Sequence, residues 1–317
     1  MAEQRIVVTV DDQNLELSNL DKVLYPAHGF TKGEVIHYYT AIAEVLLPHL
    51  VDRPLTRIRY PNGVDKPGFF EKNVPGGMPS WVRHETLPSP GSSVGRETID
   101  YVVVDGLASL VWLANLAALE LHVPQWKVGS EGPDLLVVDL DPGPGAGLAE
   151  CSDVALMLRD RLAEDGFDAY PKTSGKKGMQ LMAAVAGTQS SEDVSGYVKA
   201  VAMELETAHP RMVTSQMAKN LRPGKVFIDW SQNAAAKTTV APYSLRAERV
   251  PSASAPLLWE ELEAGSVRQF RSDEVLLRVS EYGDLLAPLL EGGPEVPASG
   301  TAHTARRSSH SPRRRTS

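Results

Sequence analysis

The sequence predicts an α/β body of mixed α+β character, with strands and helices interleaved along the chain and paired in mixed sheets. Three observations carry this. Runs such as "RIVVTV" (5–10), "RPLTRIRY" (53–60), "LLVVD" (135–139) and "KVFIDW" (225–230) suit strands and are separated by windows of helical periodicity. Of the 317 residues 42% are hydrophobic, enough for a large core. No repeat of fixed period is visible, which argues against a solenoid or propeller.

In order, runs 5–10 and 14–18 form a short hairpin. A helix over 31–50 opens on Thr31 with Glu34 three residues later, the spacing of a capping box. Strands follow at 53–60 and 68–72, then a Gly/Pro/Ser-rich loop from 75 to about 98. Its length suits a functional loop or a surface excursion, and it carries Arg83, His84 and Arg96. A strand at 100–104 leads into "GLASLVWLANLAALELHV" (106–123). Asn115, Glu120 and His122 interrupt that run, so it is predicted as a buried helix ending near His122 rather than a membrane span. Next come the strand at 135–141, a helix at 148–165, and strands near 167–172 and 178–185. A helix at 191–208, a strand at 225–230 and short helices around 257–264 and 272–282 complete the body.

The catalytic body is expected over 1–293, with 294–317 a disordered tail. Its end, "TAHTARRSSHSPRRRTS", has five arginines, no acid and no apolar periodicity. The whole chain carries −8 and therefore the chain before this tail −13, which argues against nonspecific polyanion binding by the whole surface. Any nucleic-acid contact needs cations concentrated locally. Cys151 is the single cysteine, which excludes an internal disulfide and fits a reducing cytoplasm, and "MAEQRIVVTVDDQ" shows no secretory signal.

"LLVVDLDPGPG" (135–145) raises the chemistry. Alternation along a strand puts Asp139 and Asp141 on one face, with Leu140 turned the other way. At about 6.6 Å and an effective dielectric of about 20, two such charges repel by roughly 2.5 kcal/mol. Mg²⁺ or Mn²⁺ relieves that repulsion; so does solvent at an exposed strand end. "GKVFIDWSQN" repeats the theme with Asp229, a candidate third carboxylate for a two-metal site. Around it lie Arg211, Lys219, Arg222, Lys225, Lys237, Arg246 and Arg249, a solvated basic face or a phosphate-binding one. "TSGKKGMQL" (173–181) is either a plain hairpin turn or a cradle for an anion, with Ser174, Lys176 and Lys177 beside two glycines.

"ALELHVPQW", "VVDLDPG", "TSGKKG", "LRPGKVFIDWSQN" and "KTTVAPYSLR", in this order, resemble the polymerase domain of bacterial ligase D, within the archaeo-eukaryotic primase superfamily. The likeness runs from "LDKVLYP" (20–26) through "DEVLLRV" (273–279). It implies a primase-like catalytic fold with an RRM-like core, and template-dependent gap filling with ribo- or deoxynucleotides, using Mn²⁺ or Mg²⁺. By the same resemblance Asp139, Asp141 and Asp229 are the metal-binding catalytic acids, and His122 lies near the incoming nucleotide. Ser174, Lys177, Arg222, Gln232 and Arg246 match groups that hold the nucleotide. Gln180 joins them where relatives usually have histidine. Lys22 and Lys32 match the lysines that capture a downstream 5′-phosphate, and Phe69 and Phe70 match aromatics that stack on the template.

No K-x-D-G ligase nucleophile or histidine-rich nuclease stretch is present. The resemblance therefore leans to the stand-alone actinobacterial primase-polymerases associated with ligase C. Implied partners are gapped or broken DNA, NTP or dNTP, and an ATP-dependent ligase or Ku, at the nucleoid and not at a membrane. Two other classes share single features: a metal-dependent glycosyltransferase, through D-x-D, and a noncatalytic protein that bridges DNA ends.

Overall fold

The structure, a computed structural model, describes residues 5–89 and 97–298. Strands β1 (Arg5–Val10) and β2 (Gln13–Ser18) form the expected hairpin. A second small hairpin, β3 (Val23–Tyr25) with β4 (Phe30–Thr31), leads into helix α1 (Lys32–Leu50). The capping box is formed: Thr31 Oγ1 accepts from Glu34 N at 3.2 Å, and Glu34 Oε2 accepts from Thr31 N at 2.6 Å.

Strands β5 (Pro54–Arg59) and β6 (Phe69–Glu71) pair antiparallel. The predicted loop 75–98 is not all loop, because β7 (His84–Pro88) pairs there with β8 (Thr98–Val103). β7 is polar and ends in proline, as an edge strand does, and so lacks an apolar alternation to betray it. Arg96 lies outside the described residues.

The segment 106–123 also departs from expectation. It is helix α2 (Leu107–Asn115) followed by strand β9 (Ala118–Val123), with Ala117 between them at φ 57°. Both halves are buried, and a buried helix and a buried strand share one apolar composition. His122 thus sits on a strand, not at a helix end. Asp11, on the β1–β2 turn, caps α2 by accepting from Ala108 N at 2.9 Å.

Beyond this the order follows expectation: β10 (Leu135–Pro142), α3 (Leu148–Glu164), β11 (Ala169–Thr173), β12 (Met179–Ala184) and α4 (Ser191–Ala208). Short β13 (Val213–Thr214) precedes β14 (Val226–Asp229) and β15 (Thr239–Val240). The last elements are β16 (Ser252–Ala253), α5 (Trp259–Glu263), β17 (Phe270–Arg271) and α6 (Ser272–Tyr282).

Two sheets dominate. The first runs β11-β12-β10-β14-β13 and is mixed, since only β13 lies parallel to its neighbour. The second runs β15-β9-β5-β8-β7, with β6 also on β5, and is antiparallel throughout. Strand β10 is covered on both faces for most of its length. Leu136, Val138 and Leu140 join the main core, while Leu135 and Val137 pack with Met182, Leu286 and Leu289. Asp139 and Asp141 continue the second face past the end of that apolar cover, which is how a buried strand delivers acids to a site.

Packing continues past residue 293, the expected end of the catalytic body. Val296 is buried, donates from its N–H to Gln189 Oε1 (2.6 Å) and accepts at its carbonyl from Gln189 Nε2 (2.9 Å). The arginine-rich tail falls outside the described residues. Among the described residues no helix is long and apolar enough to cross a membrane.

Candidate active site

Register, rather than sequence proximity, assembles the acids. Asp229, the last residue of β14, lies opposite Asp139 within antiparallel β10, so three carboxylates meet across two adjacent strands. Asp139, Asp141 and Asp229 each offer an oxygen within 4.8 Å of the others. Burial, reinforced by Asp141 and Asp229 and opposed by a hydrogen bond from Gln180, lifts the Asp139 carboxyl to about 7. Burial and Asp229 raise Asp141 as well, against the attraction of Arg222. Asp229 is held from behind: its Oδ1 accepts from Ser231 N (3.0 Å) and Oγ (2.6 Å), and its Oδ2 from Gln232 Nε2 (2.8 Å).

A cavity of about 430 Å³ opens beside the acids. Asp139 and Asp141 form one side, with His122 and Gln180 near them. Ser174, Lys177, Gln232 and Arg246 line it too, so seven expected nucleotide contacts shrink to six in its wall. Arg222 is the exception. It lies over the Phe227 ring (3.7 Å), donates to Met217 O (3.0 Å) and acts on Asp141 from the edge. The turn "TSGKKG" reaches the acids because of its glycines: Gly175 takes φ 72°, and a Cβ on Gly178 would collide with the carbonyl of Leu140.

The remaining expected residues lie elsewhere. Lys22 and Lys32 share a second cavity, about 150 Å³, with Arg59 and Asn19. Lys32 is mostly buried and donates to Ser18 O at 2.6 Å. Phe69 and Phe70 on β6 are 53% and 62% exposed, so they are not core residues. Glu71 ties their strand down through Arg57 (2.8 Å) and Arg59 (3.1 Å). In the 75–98 region Arg83 is engaged with Asp52 and Glu85.

Two buried charges next to this cavity have no functional reading in the sequence. Glu120 on β9 accepts from His122 Nε2 (3.0 Å) and Ala247 N (3.0 Å), and pairs with Arg246 Nε (3.3 Å). Lys172 on β11 is fully buried behind Gln180. For Glu120 the signal is a charge inside an apolar run, which reads in the sequence only as an interruption of 106–123; Lys172, in the short strand AYPKT, carries no comparable signal.

The donor set fits a hard divalent cation. Three carboxylates supply oxygen only, as Mg²⁺ and Mn²⁺ prefer, and Asp139 is raised by burial and then by its acidic neighbours, a cost that a bound cation would offset. Comparison with known proteins shows the family. Residues 31–286 match the family described as LigD, primase-polymerase domain. The chain belongs to this family.

Relatives of this LigD-family chain include the multifunctional non-homologous end joining protein LigD of Mycolicibacterium smegmatis, 44% identical over 303 residues. That match covers 95% of this chain and 39% of the relative. The bifunctional LigD of Bacillus subtilis is 30% identical over 297 residues, 93% of this chain and 47% of the relative. A solved polymerase domain from Mycobacterium tuberculosis ligase D in complex with DNA is similar at a TM-score of 0.84 and 45% identity. There 89% of this chain is covered and 100% of the other. The chain spans less than half the length of these two curated relatives. The mixed α/β fold is that of a LigD polymerase domain, and the chain is a nucleotidyltransferase of the primase-polymerase type, not a glycosyltransferase.

Proposed function

We propose that this chain is a template-dependent repair polymerase that fills short gaps with ribo- or deoxynucleotides and holds the 5′-phosphate of the downstream strand. The observation that carries it is the cross-strand meeting of Asp139, Asp141 and Asp229 beside a cavity lined by Ser174, Lys177 and Arg246. Asp139, Asp141 and Asp229 would hold Mn²⁺ or Mg²⁺, which when bound would neutralise charge at the transferring phosphoryl group and lower the pKa of the attacking hydroxyl. Phosphoryl transfer asks for positioning and charge rather than a covalent nucleophile. Lys177 and Arg246 meet the triphosphate and His122 stands near the nucleotide, while Arg222 acts on Asp141 from outside the cavity wall. Lys22 and Lys32, some distance off in a cavity of their own, take the 5′-phosphate, and the exposed Phe69 and Phe70 stack on the template.

The relatives are named for non-homologous end joining, and we extend that pathway to this chain, with Ku or an ATP-dependent ligase as partner on the nucleoid. The catalytic body then includes Val296, with the basic tail beyond it. The test is primer extension across a short gap, with ribo- against deoxynucleotides and Mn²⁺ against Mg²⁺. Asp139→Ala and Asp229→Ala are expected to abolish extension while DNA binding persists; normal extension by either refutes the metal assignment. Gapped DNA with a 5′-phosphate is expected to bind more tightly than the same DNA with a 5′-hydroxyl. Equal affinities would remove the lysine pocket.

A further inference from the structure

Strand β11 carries one cation into the interior, Lys172, with no exposed surface. A buried ammonium is tolerable only where its three donors find acceptors. They do: Nζ donates to Gln180 Oε1 (2.5 Å), Ser254 Oγ (2.8 Å) and Val240 O (3.0 Å). Gln180 in turn donates from Nε2 to Asp139 Oδ1 at 3.0 Å.

Strand register makes this a single row. Lys172 lies opposite Gln180 across β11 and β12, Gln180 opposite Asp139 across β12 and β10, and Asp139 opposite Asp229 across β10 and β14. An amide has one accepting end and one donating end, whereas an ammonium only donates and a carboxylate only accepts. Lys172 therefore fixes which way Gln180 faces. Turning the amide over would set NH₂ against the ammonium and oxygen against the carboxylate, replacing two attractions with two repulsions.

We propose that Lys172 is a positioning residue for the metal-binding acids: through Gln180 it sets the rotation of the Asp139 carboxylate that faces Asp141 and Asp229. Lys172 touches neither substrate nor metal in this scheme. It also dictates what residue 180 can be, namely a side chain that accepts from one side and donates to the other. Glutamine and a neutral imidazole meet that demand; methionine, of similar length, does not.

The inference rests on the metal site proposed above, and its test reads metal directly. Mn²⁺ binding to the nucleotide-free full chain is followed by electron paramagnetic resonance, beside kcat for gap filling, for native protein, K172M, Q180M, the double variant, Q180H and D139A. K172M and Q180M should each weaken Mn²⁺ binding about tenfold or more, the range seen when a ligand's supporting hydrogen bond is removed. The double variant should be no worse than the weaker single, because the two residues act in series. Q180H should bind Mn²⁺ more tightly than Q180M. A lower melting temperature in K172M with native Mn²⁺ affinity and kcat would show a merely structural lysine and overturn the proposal, as would losses that multiply in the double variant. Should K172M fail to fold, equal Mn²⁺ affinities in Q180M and Q180H overturn it instead. A native chain without Mn²⁺ binding that D139A abolishes would sink the site itself, and this inference with it.

Discussion

At the scale of single residues, Glu120 shows how a buried charge serves the site without touching the reaction. Burial pushes its carboxyl upward, but the hydrogen bond from His122, the charge of Arg246 and the N–H of Ala247 more than offset this and hold it at about 2. One carboxylate thereby fixes two groups of the cavity beside the acids. A depressed folded-state value means that the stabilisation is complete above the unfolded carboxyl's pKa, near 4.5, and is lost as pH falls toward 2. Linkage then assigns about 2 kcal/mol of lost stability to Glu120 between about pH 5 and pH 3. Urea unfolding at the two pH values should show this loss in the native chain and a correspondingly shallower one in Glu120→Gln. The same variant should raise KM for the incoming nucleotide, since His122 and Arg246 lose their shared anchor. Identical pH slopes in the two proteins would remove Glu120 from that role.

At the scale of elements, the sequence was legible wherever a local pattern decides the outcome. The capping box at Thr31, the helix over 191–208 and the common face of Asp139 and Asp141 all follow from spacing of a few residues. Three things were not local. The turn from α2 to β9 depends on Ala117 adopting φ 57°, which no composition announces. The pairing of Asp139 with Asp229 is a register between strands about ninety residues apart, so Asp229 could be named as a candidate but not placed. Strand β7 is polar and defined only by its partner β8. Strand β6 shows the opposite case, since adjacent phenylalanines suit a core as well as a ligand and only the exposure of Phe69 and Phe70 takes them out of the core. Phe69→Ala and Phe70→Ala should each change unfolding free energy by less than about 0.5 kcal/mol, as surface substitutions do. Each should weaken binding of DNA with an unpaired template segment by about 1–3 kcal/mol, read by fluorescence anisotropy. Lost stability with unchanged binding would return the pair to packing.

At the scale of the whole molecule, a chain of net charge −8 keeps three acids together, Asp139 and Asp229 half-buried and Asp141 exposed. Asp139, lifted to about 7 first by burial and then by its acidic neighbours, is the clearest sign of this cost. A carboxyl raised in the folded state leaves stability untouched below about pH 4, where it is protonated in both states, and lowers it increasingly up to about pH 7. Without divalent ions at pH 8, the native chain should therefore be less stable than Asp139→Asn, which removes the charge and keeps an acceptor for Gln180. The melting temperature of that variant should be higher by at least about 2 °C. Mn²⁺ at about a hundred times its Kd should then stabilise the native chain by about 2.7 kcal/mol and the variant far less, reversing the order. A variant that melts below the native chain in chelator would mean that the three carboxylates do not strain the fold, and that no cation is needed to hold them together.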